Sequence, residues 1–171
     1  VDSEGNFFKI GNSKLEPLKN IKIVTNKDDA ISSFKKLNLK TNKRILRHFR
    51  VLDLIKLSQN ELLISYQFFD KKCQCKFFKI DVVKFDDSLY EIPQTENIYK
   101  SNFRIKISKD MTGPFYSNRN GGRIERIDKN FIFFSLGDNQ YDELYHNETS
   151  PQRLNSDFGK ILKINYRLSY C

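Results

Sequence analysis

The chain has 171 residues, a length that allows one domain with a sizeable hydrophobic core. Aromatic residues make up 13% of it, whereas Gly and Pro number only seven and four, which excludes collagen-like and low-complexity disordered proteins. The net charge of +9 raises the question of nucleic-acid binding, but the lysines are dispersed among Asn, Ile and Phe, so a solvated basic surface is favoured over a nucleic-acid interface.

The first fifty residues predict short strands and one helix. Residues 5–10 form a turn followed by a strand, and residues 21–24 begin with the apolar-polar alternation of a second strand. A short amphipathic helix is predicted over 29–38, where acidic residues precede a helical spacing of apolar ones and lysines follow. The basic run 40–50 is predicted to be a loop. No apolar run in the chain approaches the roughly 20 residues that a membrane-spanning helix needs.

Two later segments repeat the same order of elements. Residues 50–65 and 123–135 each contain a strand, a tight polar turn and a strongly apolar strand that ends in Ser. Residues 76–83 and 103–107 predict further strands. Repeated hairpins with long connecting loops are typical of β-propeller blades. The central strands of a blade are covered on both faces, which would explain why residues 131–136 are almost all apolar.

The length of the chain limits how much of a propeller it can hold. A blade takes roughly 40 to 50 residues, and a closed ring uses at least four blades. We therefore expect about two to three blades of antiparallel strands, and we interpret residues 1–171 as a single partial β-propeller domain, a fragment of a larger ring.

The cysteines give little functional information. Cys73 and Cys75 are predicted to lie on one face of a strand, where they are either free thiols or a strained local disulfide. With Cys171 they number three, which makes no disulfide framework, and no Cys/His cluster has the spacing of a zinc site.

The residues with the most specific pattern lie near the C-terminus. Residues 118–124, 131–138 and 155–164 give a strand, a Gly-Asp turn, a long polar loop and a strand entered through Gly-Lys. This order resembles the glucose/sorbosone dehydrogenase family of soluble quinoprotein sugar dehydrogenases. The resemblance is strongest over 118–165, looser over 50–80 and absent before that. It implies an all-β fold, part of a six-bladed β-propeller, in a periplasmic or secreted protein.

The resemblance also implies a chemistry and a set of site residues. The family oxidises aldose sugars with pyrroloquinoline quinone (PQQ) and Ca²⁺, and its catalytic histidine precedes a Gly-Arg turn. Here Arg119 occupies that position; its guanidinium has no acceptor nitrogen, although it could bind an anion or a quinone carboxylate. Asn139, Gln140 and Tyr141 follow a Gly-Asp turn in the loop from which the family contacts its quinone. The calcium ligands are expected beyond Cys171, so no metal ligand is predicted within the chain.

Neither histidine of the chain is an evident substitute for the missing base. His146 lies in the loop after residues 137–138, beside an Asn-Glu-Thr glycosylation sequon, and His48 lies in the basic run. Two functions are therefore predicted. The first is a sugar dehydrogenase-like propeller with Arg119 in place of the histidine. The alternative is a catalytically inactive propeller that binds a carbohydrate or protein ligand.

Overall fold

The structure is a computed structural model that describes residues 1–11, 13–37, 48–85, 94–102, 104–106, 120–139 and 150–167. Most of the predicted loop 40–50 lies outside these ranges. Within them, the elements in chain order are β1 (Asn6–Gly11), β2 (Lys14–Lys22), α1 (Lys27–Lys36), β3 (Val51–Lys56), β4 (Glu61–Asp70), β5 (Cys75–Lys84), β6 (Gln94–Lys100), β7 (Ile105–Lys106), β8 (Gly121–Arg126), β9 (Phe131–Leu136), a 3-10 turn (Ser150–Gln152) and β10 (Lys160–Asn165).

The strands form three antiparallel sheets, which confirms the all-β prediction. The first sheet is the hairpin β1–β2. The second has the order β3–β4–β5–β6, with the short β7 also paired to β5. The third has the order β10–β9–β8. Each sheet thus contains strands that are close in the chain, as the blades of a propeller do.

The structure confirms that the two similar sequence segments are structural repeats. In both the β3–β4 and the β8–β9 hairpins, the two amides that follow the first strand donate to the carbonyl of the first residue of the second strand. The turn carbonyl of Asn60 also accepts from the amide of Phe85, just after β5, at 2.8 Å. The corresponding carbonyl of Asn130 accepts from Tyr166, just after β10, at 2.9 Å. Each repeat is therefore a three-stranded unit with the same turn bonds.

The second sheet lies between the other two, and its side chains alternate accordingly. One face of β4 and β5 packs on α1 and the third sheet, and the opposite face packs on the first sheet. The residues of the first face include Leu63, Phe69, Phe78, Ile80 and Val82; those of the opposite face include Ile64, Tyr66 and Val83. Two hydrophobic clusters, one on each side of the second sheet, therefore hold the layers together.

The first sheet and the helix differ from their predicted bounds. The strand predicted at 21–24 is instead β2, Lys14–Lys22, which pairs with β1 and contains Pro17. Proline is tolerated there because β2 is an edge strand of a two-stranded sheet. The helix begins two residues before the predicted 29, so Asp28 and Asp29 lie in its first turn, where negative charge is favourable. The described residues include no helix that is long and apolar enough to cross a bilayer.

Two further predictions need correction. Of the strand predicted at 103–107, residues 103 and 107 lie outside the described ranges, Arg104 is not in a strand, and residues 105–106 form the two-residue β7. The third sheet is the last layer of the described structure, and Phe133 on its outer face is 44% exposed. Cys73 lies in the turn before β5 rather than on a strand with Cys75, and both are free thiols.

Candidate functional site

The ends of the second and third sheets meet at one rim of the structure. The edge strands β3 and β8 of these two sheets lie side by side, and the amide of Ile124 on β8 donates to the Asp53 carboxylate on β3 at 2.8 Å. At the rim, β8 begins opposite the end of β9, and the amide of Gly137 donates to the carbonyl of Asn120 at 2.9 Å. This rim includes Asn120, the residue that follows Arg119 in the sequence.

Four buried polar residues are gathered at or near this rim, and we call them the rim cluster: Gln67, Lys76, Asn120 and Asn139. They are between 0% and 5% exposed. Gln67 and Lys76 come from adjacent strands of the second sheet and point to its face toward the third sheet. Buried polar side chains of this kind are costly unless they are paired, so their concentration at one place indicates a function or a specific structural role.

Lys76 is the most unusual member of the rim cluster. Its side chain is fully buried, and its ammonium lies 3.4 Å from the side-chain oxygen of Asn120 and 6.0 Å from the centre of the Phe78 ring. Burial lowers the pKa of Lys76 from its usual 10.5 to about 7, because the charged ammonium is poorly solvated there. The group next to Asn120 is therefore an amine that can gain or lose a proton near neutral pH.

Gln67 has hydrogen-bonding capacity that the described residues do not use. Its side-chain nitrogen and oxygen are both buried, and neither has a hydrogen-bond partner within the part of the chain that the structure describes. Gln67 lies diagonally across the β4–β5 ladder from Lys76, on the same face. A buried amide without partners is destabilising by itself, which suits a group that meets a polar ligand or a polar neighbouring segment.

Two glycines shape the start of β8. Gly121 and Gly122 have φ angles of +66° and +100°, values that residues other than glycine rarely adopt. At Gly122 an added Cβ would lie 2.3 Å from Cδ1 and 2.7 Å from Cβ of Leu52 on the neighbouring β3. The tight turn that the sequence predicted is confirmed, and it also allows β3 and β8 to approach each other closely.

A serine hydroxyl holds this turn against the second sheet. Ser65 on β4 is completely buried and donates to the carbonyl of Gly122 at 2.5 Å. Replacing Ser65 with Ala removes that donor, and we expect the free energy of unfolding to fall by about 1–3 kcal/mol, measured by denaturant titration. Ser32→Ala is the control, because the Ser32 hydroxyl makes its backbone bond on an exposed helix face. Equal losses in the two variants would contradict this role for Ser65.

Asn139 is buried within the turn that follows β9. Its side-chain nitrogen donates to the carbonyl of Gly137 at 3.0 Å, and its φ of +52° is in the left-handed region. Its side-chain oxygen is buried and has no hydrogen-bond partner among the described residues. Asn139 therefore fixes the backbone just after β9, and its oxygen can still accept a hydrogen bond.

The other predicted site residues lie outside the described residues. These are Arg119, Gln140, Tyr141 and His146. His48 is described and is only 2% exposed, next to Phe49, whose ring contacts Phe69 edge to face at 5.6 Å between centroids. His48 therefore belongs to the core rather than to a basic surface loop.

Comparison with known proteins gives a result at the level of the fold. No family model matches the chain, and no curated protein matches it. Solved structures do match the chain. A glucose dehydrogenase is 12% identical with a TM-score of 0.62, covering 96% of this chain and 42% of that one. The soluble aldose sugar dehydrogenase from Escherichia coli is 15% identical with a TM-score of 0.61, covering 98% and 40%. A second glucose dehydrogenase is 12% identical with a TM-score of 0.60, covering 96% and 40%.

The chain is part of a β-propeller. Its three antiparallel sheets match the solved sugar dehydrogenases along nearly its whole length, so the resemblance predicted from the sequence is confirmed for the fold. The chain spans about 40% of the length of those structures. In the propeller, the second sheet is a four-stranded blade, and the third contributes three strands of the next blade.

In chemical type the polar groups of the described rim suit an oxygen-rich cofactor such as PQQ, although these side chains are only 0–5% exposed. The Gln67 amide and the Lys76 amine are hydrogen-bond donors, and the oxygen of Asn139 is an acceptor. The described residues do not form a calcium site. Within the described ranges, no group of three His, Cys, Asp or Glu residues could hold a metal ion. We therefore assign no calcium ligand to these residues.

Neither Lys76 nor Gln67 was identified from the sequence as a site residue, although the strand alternation indicates that Lys76 is buried. Lys76 shares the strand alternation of Phe78, Ile80 and Val82, so the period of two already places it among buried residues. A lysine on the buried face of a strand is rare enough to be singled out. Gln67 carries a weaker signal of the same kind, since it shares the alternation of Leu63 and Phe69 on β4.

Proposed function

We propose that the protein is a sugar dehydrogenase-like propeller that binds an aldose sugar and PQQ with Ca²⁺ at the rim, in the periplasm or outside the cell. The observation that supports this most is the structural likeness to solved sugar dehydrogenases over 96–98% of the chain. The rim cluster adds support, because it gathers buried polar groups next to Asn120 and hence next to Arg119 in the sequence.

Each predicted site residue has a binding role in the proposed function. When bound, PQQ would supply the acceptor for the hydride that leaves the anomeric carbon of the sugar. Asn139, Gln140 and Tyr141 would contact the cofactor, and Tyr141 could instead stack on the sugar. Arg119 would bind an anionic oxygen, because its guanidinium is a permanent cation with five donors.

Arg119 also limits the reaction. Oxidation of a sugar hydroxyl requires a base that takes its proton, and arginine cannot accept one. Lys76 contacts Asn120, the residue that follows Arg119 in the sequence. Its amine can be neutral near pH 7, but its side chain is fully buried. Binding of a sugar or quinone without turnover is therefore the second candidate function, and the arginine at the histidine position specifically favours it.

Restoring a histidine should separate the two functions. We expect the wild-type protein to bind PQQ in the presence of Ca²⁺ in a calorimetric titration, with little dye-linked oxidation of glucose. An Arg119→His variant should oxidise glucose faster by roughly 100-fold or more, the usual contribution of a general base. Arg167→His is the matched control, because Arg167 lies beyond β10 at the opposite end of the third sheet.

The possible results have distinct meanings. Binding with turnover in the wild-type protein would show that another group accepts the proton, so the protein is an active dehydrogenase. Binding alone, with turnover gained in Arg119→His, would identify a binding propeller that has lost the base. If neither protein binds PQQ, the dehydrogenase proposal is wrong and only the fold is shared.

A further inference from the structure

A cleft of about 210 Å³ opens between the first and second sheets, on the face of the second sheet opposite to the rim cluster. Its walls come from the end of β2 and from β4, β5 and β6. The lining residues include Lys22, Val24, Phe68, Lys79, Asp81 and Thr95. The cleft is therefore separated from the rim cluster by the second sheet itself, and the proposed oxidation does not involve it.

The cleft contains two lysines that form no ion pair within the described structure. The ammonium of Lys79 lies over two aromatic rings, 4.9 Å from the centre of Phe68 and 5.6 Å from that of Tyr66. Neither Lys79 nor Lys22 has a carboxylate within ion-pair distance among the described residues. Stacking on the rings holds the Lys79 side chain in place, so its charge is presented at a fixed position.

Among the described lining residues the one carboxylate, that of Asp81, is held by neutral donors. Asp81 is 7% exposed and accepts from the hydroxyl of Tyr66 at 2.5 Å and from the side-chain nitrogen of Asn97 at 2.7 Å. Burial and the neighbouring charge of Asp81 raise the pKa of Tyr66, so Tyr66 keeps its proton and remains the donor. Because a carboxylate offers about four acceptor positions, Asp81 can still accept hydrogen bonds from a ligand.

We propose that this cleft binds a small polyhydroxy carboxylate, that is, a sugar acid. Among the described lining residues the two lysines outnumber the one carboxylate, which favours a ligand with a single negative charge. Asp81 and the hydroxyl of Thr95 can bond to ligand hydroxyls, and the exposed side chain of Val24 offers an apolar surface to the carbon chain. A doubly charged phosphate is disfavoured, because Asp81 would face it at close range.

The proposal can be tested with sodium gluconate as the probe, by heteronuclear NMR titration of the whole protein. We expect gluconate to shift the backbone resonances of Thr95 and Asn97, on the strand that borders the cleft. In a Lys79→Met variant, the gluconate affinity should fall roughly 10- to 100-fold, because a charge-assisted contact is lost. Lys163→Met is the matched control: Lys163 also lies over an aromatic ring, that of Phe131 at 4.3 Å, but on the third sheet.

Two other ligands test the two parts of the proposed chemistry. Glucose has the hydroxyls without a carboxylate and acetate has the reverse, so each should bind at least 10-fold more weakly than gluconate. Glucose binding as tightly as gluconate, or equal gluconate affinity in Lys79→Met and Lys163→Met, would overturn the proposal. Acetate binding as tightly as gluconate would overturn the polyhydroxy class. If Lys79→Met does not fold, Lys22→Gln is subject to the same criterion.

Discussion

Replacing Gly122 with Ala is expected to lower the free energy of unfolding by about 4 kcal/mol, the largest loss among the substitutions considered. Two causes add. The φ of +100° is strained for any residue with a Cβ, and that Cβ would lie 2.3 Å and 2.7 Å from two carbons of Leu52. The nearer carbon is the end of a flexible side chain and could move, but the farther one is the Cβ of Leu52, which moves only with the β3 backbone. Denaturant titration measures the loss.

A second variant separates the two causes. In a Leu52→Ala background, Gly122→Ala should cost less, because the nearest methyl of Leu52 is gone, while the strain of positive φ remains. We expect the cost of Gly122→Ala to fall by about 1–2 kcal/mol in that background. If Gly122→Ala changes stability by less than about 1 kcal/mol in the wild-type background, the close approach of β3 and β8 is not a constraint on the fold.

Replacing Lys76 with Met is expected to stabilise the protein, most strongly below pH 7. Burial disfavours the charged ammonium, which is why the pKa of Lys76 is lowered, whereas methionine has a similar length and no charge. The pKa difference, from 10.5 to about 7, corresponds to about 5 kcal/mol. Loss of the contact with Asn120 offsets about 1 kcal/mol of this, so the net gain at pH 6 should be about 3–4 kcal/mol.

The pH dependence of this gain has a definite sign. Because the pKa of Lys76 is lower in the folded state than in the unfolded chain, the unfolded chain binds more protons between about pH 7 and 10.5. The wild-type protein therefore gains stability as pH rises through that range, and the advantage of Lys76→Met shrinks toward pH 10. Below pH 7 both states carry the charge, and the advantage is constant.

Denaturant titrations of wild type and variant at pH 6, 8 and 10 measure this dependence. Lys106→Met is the control, since Lys106 is exposed on β7 and its replacement should leave the pH profile of stability unchanged. A constant stability difference between Lys76→Met and wild type across these three pH values would show that the Lys76 amine is solvated in the folded state.

The repeated hairpins could be predicted from the sequence because the information for them is local. A strand, a polar turn and an apolar strand are set by residues close in the chain, and both repeats have the same turn hydrogen bonds. The Gly-rich turn before β8 could be predicted for the same reason, since its positive φ values concern Gly121 and Gly122 themselves.

What could not be predicted depends on contacts between distant parts of the chain. Asn120, which Lys76 contacts, lies 44 residues further along, so neither that contact nor the lowered pKa of Lys76 is visible in the local pattern, although the strand alternation indicates its burial. The bounds of β2 are likewise set by pairing with β1, which overrides the unfavourable Pro17.

The order of strands within the sheets also bears on how the chain reaches this structure. Apart from β5 with β7, every paired strand of the described structure is the neighbour in sequence of its partner. The connection between β9 and β10 is long, but the others are short, and closing them costs little chain entropy, so the paired strands of each sheet can begin to form locally. Docking of the second and third sheets must then remove water from Lys76 and Gln67. We therefore expect the joining of the sheets to be the slow step of assembly, at the same rim where the polar groups are gathered.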